Sequence, residues 1–313
     1  MNVLSVCPPL RALLVALAVL APAPAVAAGA MGAAVPPEAR IVSLHFYATE
    51  ALLELGLSEQ VVGIDIMSRS YYDAALDRSF AELPVIGHWA DLSAESVLAL
   101  QPTLVVGTER SGPETAVRQL QGATEVLLLD PRDDLAGALA RVGQLAAHLG
   151  LEGRAAALEA EMAAVRAELA ARTAAVEPVG ALALASHGGV ERVCGRGPHE
   201  TLLELAGLTN LAPQVSACEE LSREALVGID AEVLVFSNPE TFDFFGGHEG
   251  LSAHPVFGRT EAVRQERYIV LGSAEQVLGV GLRTPSFALA LHEAVYGHEG
   301  PVVIERDLAV APL

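Results

Sequence analysis

The nine residues LSAESVLAL at Leu92–Leu100 have a related counterpart in LSREALVGI at Leu221–Ile229, with the leucine, serine and glutamate of the first four positions shared. Each copy is followed by a short apolar run, Leu104–Val106 in the first case and Val233–Val235 in the second. The order of the two features is the same both times, which predicts that the chain consists of two related halves.

A second matched pair lies upstream of these copies. It consists of EALLELGL at Glu50–Leu57 and ETLLELAGL at Glu200–Leu208. The distance along the chain between the two copies is much longer than the repeat length of a solenoid or propeller. We therefore expect two lobes with a ligand cleft between them.

Short apolar runs alternate with helical patterns in both halves, which predicts parallel sheets covered by helices. The fold class expected is α/β, with two Rossmann-like lobes. Thr49 is expected to cap the helix that begins at Glu50. The runs that we interpret as strands of the first lobe are Ile41–Leu44, Val61–Ile64, Leu104–Val106 and Val126–Leu129.

A stretch of 20 residues without glycine or proline, Ala155–Ala174, predicts one long helix between the halves. Such a helix extends about 30 Å and is long enough to join the lobes as a spine; an ordinary surface helix within one lobe is the alternative. The boundaries expected are a first lobe at 38–150, a connecting helix at 151–176, a second lobe at 177–300 and a tail at 301–313.

The first 28 residues resemble a secretory signal. Arg11 precedes an uncharged run that ends in small residues at Ala25–Ala28. We expect cleavage there and a mature protein in the periplasm; a retained membrane anchor is the alternative, although Pro22 and Pro24 interrupt the run.

The chain of 313 residues carries a net charge of −20, and all 19 of its basic residues are arginine. Such acidity argues against nucleic acid or an anionic membrane surface as the main partner, because either needs a clustered basic surface. Beyond the signal segment the cysteines are Cys194 and Cys218. They either form one disulfide or remain two buried thiols.

Ligands of parallel α/β sheets bind beyond the carboxyl ends of the strands, so the loops there are the candidate binding positions. These loops are rich in histidine, which ligates metals, and in aromatic rings, which suit a flat apolar ligand. Taken singly, His45, His199, His254 and His298 are interpreted as solvated loop residues rather than as ligands.

Motifs typical of enzymes do not occur. There is no Gly-x-Ser-x-Gly elbow and no phosphate-binding loop, and His292 and His298 are spaced too widely for a zinc protease. We therefore expect a binding protein without a catalytic cofactor, with a periplasmic metal-dependent enzyme as a minor alternative.

Several segments together resemble one family. They are Thr49–Glu50, Leu83–Gly87, Leu92–Glu95 and Pro102, with the long helix between the halves. From about Arg40 to Gly297 the chain resembles the helical-spine periplasmic binding proteins of ABC importers for haem, vitamin B12 and ferric siderophores. The haem branch is indicated by three further segments: His187–Gly189, Gly195–Gly197 and Gly279–Pro285.

The resemblance implies that the transported ligand is haem and that residues of both lobes hold its iron. Haem binders of this type carry a tyrosine ligand after the glycine that matches Gly87, where this chain has His88. His187 matches a second histidine found in some relatives, so the expected iron ligands are His88 and His187. The other residues expected to line the cleft are His45, Tyr47, Arg69, Trp89, Arg196, Phe244 and Arg283.

The repeat also places Glu95 and Glu224 at equivalent positions. The resemblance implies that they dock the carrier, expected to be a monomer, on an ABC permease dimer of the inner membrane. The alternative is that each glutamate only stabilises the first turn of its helix. Within the same transporter class, a corrinoid or ferric-siderophore carrier is the rival function.

Overall fold

The computed structural model describes residues 35–71, 82–220, 222, 226, 228–272, 277, 279–298 and 300–304. The expected signal peptide and the second docking residue, Glu224, lie outside this part of the chain. No helix within it combines the length with the apolar surface that a membrane crossing requires.

Strands and helices alternate along the described residues. The strands are β1 (Ile41–Ser43), β2 (Val61–Gly63), β3 (Gly87–His88), β4 (Asp91–Leu92), β5 (Leu104–Thr108), β6 (Glu125–Leu129), β7 (Val179–His187), β8 (Val190–Cys194), β9 (Leu208–Asn210), β10 (Cys218–Glu219), β11 (Val233–Phe236), β12 (Tyr268–Leu271) and β13 (Val302–Ile304). The α-helices are α1 (Phe46–Glu54), α2 (Ile66–Tyr71), α3 (Ala94–Leu98), α4 (Glu114–Gln121), α5 (Leu135–Leu149), α6 (Glu152–Thr173), α7 (Pro198–Leu205), α8 (Pro239–Phe244), α9 (Gly247–Ala253), α10 (Glu261–Arg264) and α11 (Thr284–Gly297).

The sheet of the first lobe is parallel, with strand order β2-β1-β5-β6. Every residue of β5 is buried, as expected for a central strand that helices cover on both faces. The strand runs predicted from the sequence form this sheet, which confirms the α/β class for this half of the chain.

The sheet of the second lobe is mixed. Strands β7, β11, β12 and β13 are parallel, whereas β8 runs antiparallel to β7 and β10 antiparallel to β8. The antiparallel edge begins at a tight turn of Gly188 and Gly189, whose φ angles of +61° and +77° are easily reached only by glycine. The sequence indicated a loop there but not the antiparallel return.

The predicted long helix is α6, which spans 22 residues, or about 33 Å. Its apolar side chains form one stripe spaced by three or four residues. Leu158 and Met162 belong to the core of the first lobe, and Leu169 belongs to a core of the second. The helix therefore contributes to the cores of both lobes, as expected of a spine.

A second connection between the lobes comes from the segment Gly279–Arg283, which precedes α11. Leu282 is only 3% exposed and packs in the core of the first lobe, against residues that precede it by more than a hundred positions. We call Gly279–Arg283 the crossing segment. The lobes are thus joined by α6 and also by a side chain of one lobe buried in the other.

The expected cap of the first helix was wrong. Helix α1 begins at Phe46 and its N-cap is His45, whose Nδ1 accepts a hydrogen bond from the amide of Tyr47. Thr49 lies one turn further on, where its hydroxyl bonds the Ser43 and Ser68 hydroxyls. The expected tail contains β13, because its β-branched run extends the edge of the sheet beside β12.

Leu282→Ala is expected to lower the free energy of unfolding by about 2–5 kcal/mol, because it leaves a cavity in the first-lobe core and loses apolar contact between the lobes. Urea denaturation followed by circular dichroism measures this change. Val303→Ala is the control, since Val303 is 54% exposed; we expect it to stay within about 0.5 kcal/mol of the wild type. Equal effects of the two variants would contradict the burial of Leu282.

Candidate ligand-binding site

The carboxyl edge of the first-lobe sheet carries polar and apolar side chains that directly follow its strands. His45 comes after β1, Ile66 after β2 and Arg110 after β5. Ile66 is 46% exposed although it is a large aliphatic residue, and Arg110 is exposed as well. Because the strands are parallel, these three residues lie along one edge.

His45 is buried at this edge and uncharged. Burial is the main cause that lowers the pKa of its imidazole to about 3, and the positive charges of Arg110 and Arg141 lower it further. Since its Nδ1 accepts a hydrogen bond, the single proton of the neutral ring is on Nε2. His45 therefore acts as a helix cap and as part of an aromatic stack.

The stack consists of ring contacts between His45, Trp89 and His88. The ring centroid of Trp89 lies 5.1 Å from that of His45 and 5.2 Å from that of His88. His88 lies in the β3–β4 hairpin, whose backbone turns at Gly87 with φ +116°. A side chain at Gly87 would be strained there, so glycine permits the bend that places His88 and Trp89 beside His45.

His88 is exposed, and the only hydrogen bond of its side chain to the described residues is made by Nδ1, which accepts from the amide of Ala90 at 3.2 Å. The neutral ring then carries its proton on Nε2. Metal coordination through Nε2 requires that proton to move to Nδ1 and the Ala90 bond to break, at a cost of about 1 kcal/mol.

In the second lobe, His187 is exposed at the carboxyl end of β7, immediately before the Gly188–Gly189 turn. Phe244 ends α8, which follows the carboxyl end of β11, and its side chain is 44% exposed. The second lobe thus also carries an exposed histidine and an exposed apolar ring near the carboxyl edge of its sheet.

The loops of the two edges meet at the crossing segment. A Cβ atom at Gly279 would lie 2.5 Å from Cε1 of Tyr47 and 2.9 Å from Cε2 of Phe46. Gly279 follows β12 in the second lobe, and the two aromatic residues follow β1 in the first. The carboxyl edges of both sheets therefore border the same boundary between the lobes.

Four polar contacts hold the crossing segment on the first lobe. The amide of Val280 donates to Oδ1 of Asp133 at 2.7 Å, and its carbonyl accepts from Nη2 of Arg141 at 3.0 Å. The amide of Leu282 donates to Oε1 of Glu50 at 3.0 Å, and Nε of Arg283 donates to Oε1 of Glu54. Both glutamates belong to α1.

Two residues expected to line the cleft are used in this contact instead. Arg283 pairs with Glu54, a carboxylate only 4% exposed, because burial of that charge requires a cation beside it. Tyr47 is 2% exposed, and the guanidinium of Arg141 lies 3.9 Å from the centre of its ring. Its ring presents no open face to a ligand.

The remaining predicted residues are dispersed. Arg69 donates to the carbonyl of Leu83 at 2.6 Å within the first lobe, and Arg196 is exposed between β8 and α7. Glu95 is exposed in the first turn of α3, capped by Ser93. The structure joins Cys194 and Cys218 in a disulfide.

The residues expected to line the cleft include neither Arg110, although its loop was a candidate binding position, nor Ile66, which the sequence analysis missed. Both directly follow predicted strands, and that position was the signal that identified His45. Their residue types gave no further signal, because an arginine in a loop and an isoleucine at the start of a helix are common where no ligand binds.

Together these features define a bilobed α/β binding protein with its candidate site where the carboxyl edges of the two sheets meet. A family model described as periplasmic binding protein matches residues 41–275. The chain belongs to this family.

Solved structures of haem-binding proteins are similar over most of the chain. The periplasmic heme-binding protein RhuT from Roseiflexus sp. RS-1 is 30% identical, with a TM-score of 0.70, over 83% of this chain and 98% of its own. The periplasmic heme-binding protein HutB of Vibrio cholerae is 26% identical, with a TM-score of 0.70, over 83% of this chain and 99% of its own. A periplasmic heme-binding protein from Pseudomonas aeruginosa is 28% identical, with a TM-score of 0.69, over 84% of this chain and 94% of its own.

Curated relatives match a shorter part. A vitamin B12-binding protein of Pectobacterium carotovorum subsp. carotovorum (strain PC1) is 25% identical over 112 residues. That alignment covers 35% of this chain and 38% of the relative.

The contact at Glu50 predicts a pH dependence of stability. Burial is the main cause that raises the pKa of the Glu50 carboxyl from 4.5 to about 7, and Glu54 adds to it, while Arg141, Arg283 and the Leu282 amide oppose it. The folded protein thus retains a proton that the unfolded chain releases. The resulting stabilisation is complete below the unfolded-state pKa of 4.5 and is lost as the pH rises through about 7.

Glu50→Gln stays neutral at every pH, so we expect its loss of unfolding free energy between pH 5 and pH 8 to be smaller by about 1–3 kcal/mol than that of the wild type. Urea denaturation at a series of pH values measures both. Glu59→Gln, on an exposed turn, is expected to retain the pH dependence of the wild type. A Glu50→Gln curve parallel to the wild-type curve would refute the assignment.

Proposed function

We propose that the protein is a periplasmic carrier that binds haem between its lobes and delivers it to an ABC importer of the inner membrane. The observation that carries this proposal is the pair of exposed histidines, His88 beside the carboxyl edge of the first sheet and His187 at the carboxyl end of β7. A flat iron chelate between the lobes presents one axial position to each.

Imidazole coordination supplies the specificity in this proposal. A neutral histidine binds both ferrous and ferric haem iron, whereas a phenolate strongly favours the ferric state. With His88 at the position where haem binders of this type carry tyrosine, the carrier is expected to retain haem after reduction of the iron. The cost of about 1 kcal/mol for moving the His88 proton is small beside an iron–nitrogen bond.

Apolar and cationic groups support the same ligand. Trp89, Ile66 and Phe244 offer partly exposed apolar surface to a porphyrin face, and stacking on a flat ring is a favourable arrangement for indole and phenyl groups. Arg110 is exposed at the same edge, where its guanidinium is proposed to pair with a propionate carboxylate of haem. The three similar solved structures are all of heme-binding proteins, which supports this ligand.

A corrinoid is the second candidate ligand, since the curated relatives are vitamin B12-binding proteins. A corrinoid needs the aromatic and cationic groups but no pair of axial histidines. The two proposals therefore differ in their dependence on His88 and His187.

The proposal is tested by titrating the purified mature protein with hemin and following the Soret band, with cyanocobalamin titrated in parallel. We expect saturable one-to-one binding of hemin. His88→Ala and His187→Ala are each expected to weaken it at least tenfold, and the double variant to lose the Soret shift. The physical reason is the loss of one or both iron ligands.

His298→Ala is the matched control, because His298 is exposed in the second lobe beyond the end of α11. It is expected to bind hemin like the wild type. Cyanocobalamin binding that survives the double variant, with no hemin binding by the wild type, would replace haem by a corrinoid as the ligand.

Docking on the permease is proposed for Glu95 together with Glu224. Glu95→Gln keeps the length of the side chain and is expected to reduce haem uptake by cells several-fold while hemin affinity is unchanged, because the charge faces the permease and not the ligand. Glu152→Gln, in the first turn of α6, is the matched control for an effect on helix stability. Uptake reduced equally by both variants would argue against docking at Glu95.

A further inference from the structure

The second lobe contains a sulfur and nitrogen cluster that plays no part in the proposed haem site. Cys194 of β8, Cys218 of β10 and His199 of α7 bring their Sγ and ring nitrogen atoms within 4.8 Å of one another. Cys194 is completely buried, and His199 is 7% exposed. Three separate elements therefore converge on one enclosed point.

The hydrogen bonds around His199 determine which of its nitrogens faces the sulfurs. The hydroxyl of Ser237 donates its proton to the carbonyl of Leu184 at 2.9 Å. The 3.0 Å contact between Nε2 of His199 and that hydroxyl is then a bond in which Nε2 donates. Nδ1 carries a free lone pair, and it lies 3.8 Å from Sγ of Cys218.

This arrangement is the one in which histidines bind metals: one nitrogen faces the ion, and the other donates to a fixed acceptor that holds the ring. A cation is also nearby to balance thiolate charge, since Nη1 of Arg192 donates to the Cys218 carbonyl at 3.2 Å.

We propose that Cys194, Cys218 and His199 form a site for Cu(I) when the two cysteines are reduced. Two thiolates and one imidazole suit a soft cation that accepts three ligands. Structural zinc requires a fourth ligand, and the described residues supply none within this cluster. The metal then joins the same strands that the disulfide joins in the oxidised protein.

The chemistry balances with a dithiol as reductant. One thiolate of the dithiol attacks Sγ of Cys218, the more exposed sulfur, and Cys194 leaves as a thiolate; the second thiol of the reductant then closes its own disulfide and releases Cys218. The net change is two electrons and two protons from the dithiol to the protein. Binding of Cu(I) displaces the two thiol protons and leaves both sulfurs coordinated.

The test is competition for Cu(I) against a chromogenic chelator, without oxygen, with the mature protein reduced and then separated from the reductant. We expect the reduced wild type to withdraw one Cu(I) per chain and the oxidised protein to withdraw none. The double variant Cys194→Ser, Cys218→Ser is expected to behave like the oxidised protein.

His199→Ala is expected to weaken Cu(I) binding at least tenfold, and Ser237→Ala to weaken it less, because Ser237 only orients the ring. His254→Ala is the matched control, a partly buried histidine of the same lobe that pairs with Glu191. Circular dichroism verifies that each variant is folded, and X-ray absorption of the copper-loaded protein reports coordination by two sulfurs and one nitrogen.

Cu(I) binding by the reduced wild type no stronger than that of the double cysteine variant would overturn the proposal. So would a preference for Zn(II) over Cu(I), or copper bound by sulfur alone. Hemin binding is a separate measurement, so its failure or success leaves this test unaffected.

Discussion

Burial of Leu282 in the core of the first lobe is the contact on which the arrangement of the two lobes depends. The residue belongs to the segment that precedes α11, so the chain returns to the first lobe after completing most of the second. In the same segment, the backbone of Val280 forms hydrogen bonds with Asp133 and Arg141. Arg283 neutralises the buried carboxylate of Glu54. Loss of a partner from such a pair costs about 3–5 kcal/mol. Two attachments, this one and α6, favour small closure movements over a wide hinge.

The same contact organises the candidate site. The crossing segment lies against Phe46 and Tyr47 at the start of α1, so the carboxyl edge of the first sheet cannot move far from the second lobe. The cap of that helix, His45, supports Trp89, and Trp89 contacts His88. Tyr47 and Arg283 thus form part of the contact between the lobes. His88, Trp89, Ile66 and Arg110 keep exposed surface at the edge of the first sheet.

Strand β8 connects the second-lobe part of the proposed haem site, His187, with the proposed copper site. At one end Val190 pairs with His187 across the Gly188–Gly189 turn, and at the other Cys194 pairs with Ala183 and with Cys218 of β10. A crosslink at Cys194, whether a disulfide or a metal, therefore anchors the strand that carries the His187 hairpin. The two sites share a structural element while differing in the ligand they are proposed to bind.

Local patterns in the sequence were sufficient for the α/β class, the parallel first sheet and α6, because strand runs and helical stripes depend on residues close in the chain. Contacts between residues far apart in the chain could not be predicted from these local patterns. Arg283 meets Glu54 across 229 positions, and His199, interpreted as a solvated loop residue, is buried beside a serine 38 positions away. Which loop residues face a ligand and which are buried is decided when the lobes pack together, since that packing determines which charges and rings lose contact with water.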